Sequence, residues 1–235
     1  MTVVRRLLRP AAQTTYERIF DTVYVGLMTN VLLALACAPI LAALAIVGDP
    51  LPSWPFFAAL SPLCAPALTG AFACFATLED AGPAVVLRPF RTGYRRGGVR
   101  AALVGACWAA AVSLLALDAV VVAPTRWGPA LLPFFCTAAA LVTAVTVALL
   151  VLLAEPGTAP ARLRDLVRPC LYLAARRWYL SALVVTVLTL TAALILTKPA
   201  PALLLTAPLL YTAWATTRYI VTPALPASAS GRSDA

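Results

Sequence analysis

Residues 88–100 read RPFRTGYRRGGVR, and residues 168–179 return to the theme as RPCLYLAARRWY. Each basic segment lies between two long uncharged runs. Clusters of arginine alternating with apolar runs are the pattern of a polytopic membrane protein, whose basic loops stay on one side of the bilayer. Within the first cluster Leu87, Phe90 and Tyr94 recur at i, i+3 and i+7, and Arg88, Arg91 and Arg95 repeat that spacing one position later. This predicts an amphipathic helix lying in the interface, ended by Gly97-Gly98 before the next span begins.

Working outward, the whole chain of 235 residues is 62% hydrophobic and 11% charged, with a mean hydropathy of +0.91. Soluble domains carry about 25% charged residues, so the composition predicts an integral membrane protein. The formal charge of +9 is therefore read as orientation and contact with anionic headgroups rather than nucleic-acid binding. Histidine is absent, and Cys37, Cys64, Cys74, Cys107, Cys136 and Cys170 show no CxxC spacing. No metal site or cofactor is expected, and no constellation of acid, base and nucleophile suggests an enzyme. The N-terminal stretch lacks a short apolar core with a small-residue cleavage site, so no cleavable secretory signal is expected.

Six spans are predicted. Thr14-Thr15-Tyr16-Glu17 has the form of a capping box and leads into the first, 20–47, in which Asn30 requires a partner on another helix and Pro39 frees a carbonyl. Residues 48–61, with Pro50, Pro52 and Pro55 among Trp54, Phe56 and Phe57, read as an external loop dipping into the interface. Ser61-Pro62 then opens the second span, 62–78, closed by Glu79 and Asp80. The third, 99–123, carries a stripe of Ala102, Gly105, Ala106, Ala109, Ala110 and Ser113 suited to close packing. Asp118 near its end is either a proton or cation site or a solvated end residue.

The fourth span, 130–154, holds Thr137, Thr143 and Thr146, able to bond their own helix carbonyls. Glu155-Pro156-Gly157 stops it, and a second interfacial amphipathic helix follows with Arg168 and Arg176 on its polar side. The fifth and sixth spans are 178–197 and 202–222, and residues 225–235 form a small, polar tail expected to be disordered. Of the 18 arginines and lysines, all but Arg126 and Lys198 then fall on one side. By the positive-inside rule both termini are cytoplasmic. The fold class expected is thus an all-α, six-span, N-in/C-in transmembrane bundle with two cytoplasmic interfacial helices. A shift of 80 residues places Arg88-Pro89 on Arg168-Pro169 and Ala102-Leu103-Val104 on Ala182-Leu183-Val184, which suggests a parallel repeat of 62–123 and 130–197.

Asn30-Val31-Leu32-Leu33, Cys37-Ala38-Pro39, PALTGAFACF at residues 66–75, the acidic helix end, and Phe90, Tyr94, Arg95 and Arg96 together resemble the YesL family of small bacterial membrane proteins. The resemblance covers about residues 16–200 and departs from the family where Leu68 separates Ala67 from Thr69. That family has no established activity but is often encoded with ABC-type carbohydrate importers. The resemblance therefore implies a bacterial inner-membrane protein acting as a non-enzymatic accessory subunit beside importer permeases. The basic residues Arg88, Arg91, Arg95, Arg96, Arg168, Arg176 and Arg177 would serve for docking or lipid contact. The alternative is a small-solute transporter, with Asn30, Pro39, Pro66, Thr69 and Gly70 lining a cavity between the first two spans or packing them together.

Overall fold

In a computed structural model of the chain, the described residues are 11–47, 52–79, 86–155, 163–197 and 199–221, and they are all-α. Helix α1 (Ala11–Ala36) is followed by α2 (Ala38–Val47), and α3 (Trp54–Leu60) runs through a 3₁₀ turn, Ser61–Leu63, into α4 (Cys64–Glu79). Next come α5 (Leu87–Val122), α6 (Gly128–Ala154), α7 (Leu163–Arg176), α8 (Trp178–Thr197) and α9 (Pro199–Val221). The arginines at residues 5, 6 and 9, Asp80, Lys198 and the tail at 225–235 lie outside the described residues.

Several expected boundaries are displaced, each for a physical reason. The helix is already formed at Ala11, so Thr14–Glu17 lies inside α1 instead of capping it. The span expected over 20–47 is a pair of helices bent by 67°. Pro39 in the first turn of α2 has no N–H to continue the ladder of α1, and the amides of Ile40 and Leu41 turn to the Cys37 carbonyl, each at 3.0 Å. The stretch read as a loop over 48–61 is helical from Trp54 onward. Pro55 sits in the first turn, where its missing donor costs nothing. At Pro62 the chain tightens to 3₁₀ geometry, and Ser61 Oγ donates to the Ala58 carbonyl at 2.8 Å.

The largest correction concerns residues 88–100. They do not form a separate interfacial helix: α5 is one helix of 36 residues that passes through Gly97-Gly98, about 54 Å long at ~1.5 Å per residue. Gly93, Gly97, Ala101, Gly105 and Ala109 repeat every fourth residue and are buried along one face. That face lies against α4 so closely that a Cβ added at Gly93 would meet the Ala73 Cβ at 2.8 Å, and one at Gly105 would meet the Ala65 Cβ at 2.8 Å. Close backbone packing of this kind offsets the roughly 1 kcal/mol per residue that glycine costs in a helix. Of the stripe expected on this helix, Gly105 and Ala109 are buried, while Ala106 and Ala110 are exposed. In the 80-residue register Gly97 corresponds to Arg177, and there the chain does break, between α7 and α8.

Helix α4 is the centre of the bundle. It pairs with α5 and also touches α1, α6 and α9. Phe72, Phe75, Val151 and Trp214 are almost wholly enclosed in the core around it, with Phe75 edge-on to Tyr211 at 5.5 Å. The threonines of α6 bond back as expected: Thr137, Thr143 and Thr146 donate to carbonyls four residues earlier at 2.9, 2.8 and 2.8 Å. Among the described residues four helical segments are long and apolar enough to cross a membrane: Trp54–Glu79, Leu87–Val122, Gly128–Ala154 and Trp178–Thr197. The bent pair Phe20–Ala36 and Ala38–Val47 makes a fifth if it is one span. Helix α9, expected as a sixth, is lodged among the others and carries Thr206, Thr212, Thr216, Thr217 and Arg218, which reduce its apolar character. Leu103, Leu114, Val120 and Val121 along α5 stay exposed, an outward apolar surface that soluble proteins rarely present.

Candidate functional site

Helices α4, α6 and α9 finish near one another at the basic end of the bundle. Glu79 is the last residue of α4, and Glu155 caps the C-terminus of α6 with an extended backbone. A carboxylate there faces the negative end of a helix dipole, which is unfavourable unless a cation is close. One side chain supplies it to both. Arg218 in the last turn of α9 donates from Nη1 to Glu79 Oε2, and its Nε lies 3.4 Å from Glu155 Oε1. Its guanidinium also lies 5.2 Å from the centre of the Trp214 ring, close enough for a cation–π contact. The two acidic stops that the sequence places about one repeat apart are thereby tied to a single arginine. In the sequence Arg218 counts only toward the charge asymmetry; the signal that marks it is the paired acidic ends, which need a common cation if the helices converge.

Beside this clamp, Arg177 in the break between α7 and α8 donates from Nη1 to the Tyr219 carbonyl at 2.9 Å and lies 4.9 Å from the Tyr219 ring centre. Arg177, expected as a docking residue, is therefore engaged within the fold. Arg88, Arg91, Arg95 and Arg96 are exposed on the outer face of α5, and Arg168 and Arg176 on α7. Cys170 and Ala174 turn the other face of α7 into the bundle, and burial pushes the Cys170 thiol up from 9.0 to about 11.

The residues expected to line a cavity are not all together. Asn30 is buried and donates from Nδ2 to the Leu204 carbonyl on α9 at 3.2 Å. That carbonyl precedes Pro208 by four residues, and Pro208 lies inside α9 without an N–H to offer it. Asn30 thus satisfies the acceptor that the proline orphans. Thr69 is fully enclosed, its Oγ1 donating to the Pro66 carbonyl at 2.8 Å. Gly70 faces the Phe90 ring, which an added Cβ would meet at 3.1 Å. Pro66 is buried beside them, whereas Pro39 is exposed on α2, beyond the bend. Asp118 is exposed on α5 near the opposite end of the bundle from the clamp.

A cavity does exist elsewhere. A groove of about 400 Å³ lies between α5, α6 and α7, with Leu103, Cys107, Val145, Leu149, Val167 and Leu171 in its wall. Trp108 at its side donates from Nε1 to Thr143 Oγ1 at 3.0 Å, joining α5 to α6. Among the described residues no group of three or more cysteine, aspartate or glutamate side chains is placed to hold a metal ion. The chain matches no protein family model, no curated protein and no solved structure.

Proposed function

We propose that the chain is a multi-pass inner-membrane protein with both termini in the cytoplasm, serving as a non-enzymatic accessory or assembly subunit beside the permeases of an ABC-type carbohydrate importer. The resemblance of residues 16–200 to the YesL family motivates the partner class. The observation that carries the docking role is the exposed row Arg88, Arg91, Arg95 and Arg96. It stands on a helix held against α4 by interlocked glycines, so its guanidinium groups are displayed on a rigid element. A rigid charged face loses little entropy on binding and suits recognition of an acidic partner surface. Asn30, Thr69 and Gly70, by contrast, are committed to packing, which favours docking over conduction through the first two spans.

The test is capture of the tagged chain from native membranes in mild detergent. Importer permeases should co-purify with the wild type and be lost when Arg88, Arg91, Arg95 and Arg96 are changed together to glutamine. A chain that purifies alone refutes the reading. The bent pair α1–α2 favours a second reading, a small-solute transporter, because broken helices mark many transporter sites. Solute flux into proteoliposomes holding only this chain would establish that reading over the first.

A further inference from the structure

The groove between α5, α6 and α7 has one apolar length and one charged end. Its wall is hydrocarbon along Leu103, Cys107, Val145 and Leu149, and the polar atoms beside it are already bonded, Trp108 to Thr143 and Thr146 to the Val142 carbonyl. Val167 on α7 lines this groove and also a second depression shared with Arg164, Asp165 and Arg168. Arg164 and Arg168 are one helical turn apart and exposed, so both guanidinium groups can reach one anion. Val167 and Leu171 remain 39% and 45% exposed although they face the groove, so nothing among the described residues covers them.

A trough without free donors selects hydrocarbon, and a pair of guanidinium groups at its mouth selects phosphate, which arginine binds with paired hydrogen bonds. We infer that this groove is a binding site for one anionic phospholipid, an acyl chain lying along α5 and α6 and the phosphate resting on Arg164 and Arg168. At ~30 Å³ for a water-sized group, the volume accommodates roughly a dozen chain atoms, enough for most of one acyl chain and too little for two. Helix α7 is the element that joins the two halves of the site, its apolar residues meeting the chain and its arginines the headgroup. The inference is independent of the docking role, since it uses neither the α5 arginines nor any protein partner.

The experiment uses the full chain, delipidated in a neutral detergent and offered dioleoyl phosphatidylglycerol or dioleoyl phosphatidylcholine, with bound lipid read by native mass spectrometry and stability by thermal melting. One phosphatidylglycerol should be retained per chain in preference to phosphatidylcholine. Arg164→Gln with Arg168→Gln should weaken phosphatidylglycerol by about fivefold per arginine removed, leaving the two lipids bound alike. Ala111→Trp should fill the groove and abolish retention of both. Val167→Gln, at an exposed position that the fold tolerates, should weaken both lipids without lowering the melting temperature of the lipid-free chain. Equal retention of the two lipids by the wild type, unchanged retention by Val167→Gln, or stabilisation by glycerol phosphate alone to the same extent as by phosphatidylglycerol would each overturn the inference.

Discussion

Replacing Asn30 by leucine removes the donor that meets the Leu204 carbonyl at 3.2 Å. An orphaned buried acceptor costs about 1–3 kcal/mol in general, and hydrogen bonds between membrane helices average about 0.6 kcal/mol with a maximum near 1.7. Asn30 Oδ1 is itself buried without a partner among the described residues, so leucine also relieves a smaller cost, and a net loss of about 1 kcal/mol is expected. The decisive control is Pro208→Ala. It gives position 208 an N–H that can bond Leu204 within α9, so the carbonyl no longer depends on α1. Asn30→Leu should then be neutral or stabilising, giving a coupling energy of about 1 kcal/mol, above the ~0.3–0.5 kcal/mol scatter of independent sites. The four proteins can be unfolded in mixed micelles of rising dodecyl sulfate content, with helicity by circular dichroism as the readout. If Asn30→Leu costs the same with proline and with alanine at 208, the assignment of Asn30 as surrogate donor is wrong.

Gly93→Ala should lower the melting temperature, because its Cβ would lie 2.8 Å from the Ala73 Cβ and 2.9 Å from the Thr69 carbonyl oxygen. Overpacking of ~1–3 kcal/mol outweighs a gain of about 1 kcal/mol in helix propensity; Gly98→Ala, with nothing among the described residues within 4 Å, should raise it. Arg218→Gln should cost about 1 kcal/mol, the ordinary worth of a partly exposed pair, and less in a chain already carrying Glu155→Gln; equal losses in the two backgrounds, measured in the same micelles, would argue against the clamp. Cys170 should resist maleimide at pH 8 in the folded chain and react on unfolding, as followed by mass. Its thiol is raised from 9.0 to about 11, so burial of the neutral form contributes in full below pH 9. That contribution is lost as the pH climbs through about 11, and Cys170→Ala should flatten the alkaline limb of stability.

Much of the bundle was legible because apolar run length and arginine placement are properties of the chain read in one dimension. The runs ending at Glu79, Ala154 and Thr197 fall close to where the structure ends α4, α6 and α8. By local propensity Gly97-Gly98 reads as a stop, yet Gly97 belongs to the fourfold spacing from Gly93 to Ala109 that a close helix partner requires. Propensity alone disfavours a helix there, and only contact with α4 reverses the sign. Pro55, one of the prolines that mark 48–61 as a loop, likewise sits in a first turn, where a proline loses no hydrogen bond.

The sequence by itself determined that this is an all-helical chain with spans of membrane length and arginines gathered at one end, since both follow from local composition. Only the tertiary structure decided which interruptions break a helix, that Glu79 and Glu155 share Arg218, and that Asn30 serves a carbonyl 174 residues away. These outcomes depend on which surfaces meet, and a side chain's partner across a helix interface is fixed by the packing of whole elements, which no short stretch of sequence encodes.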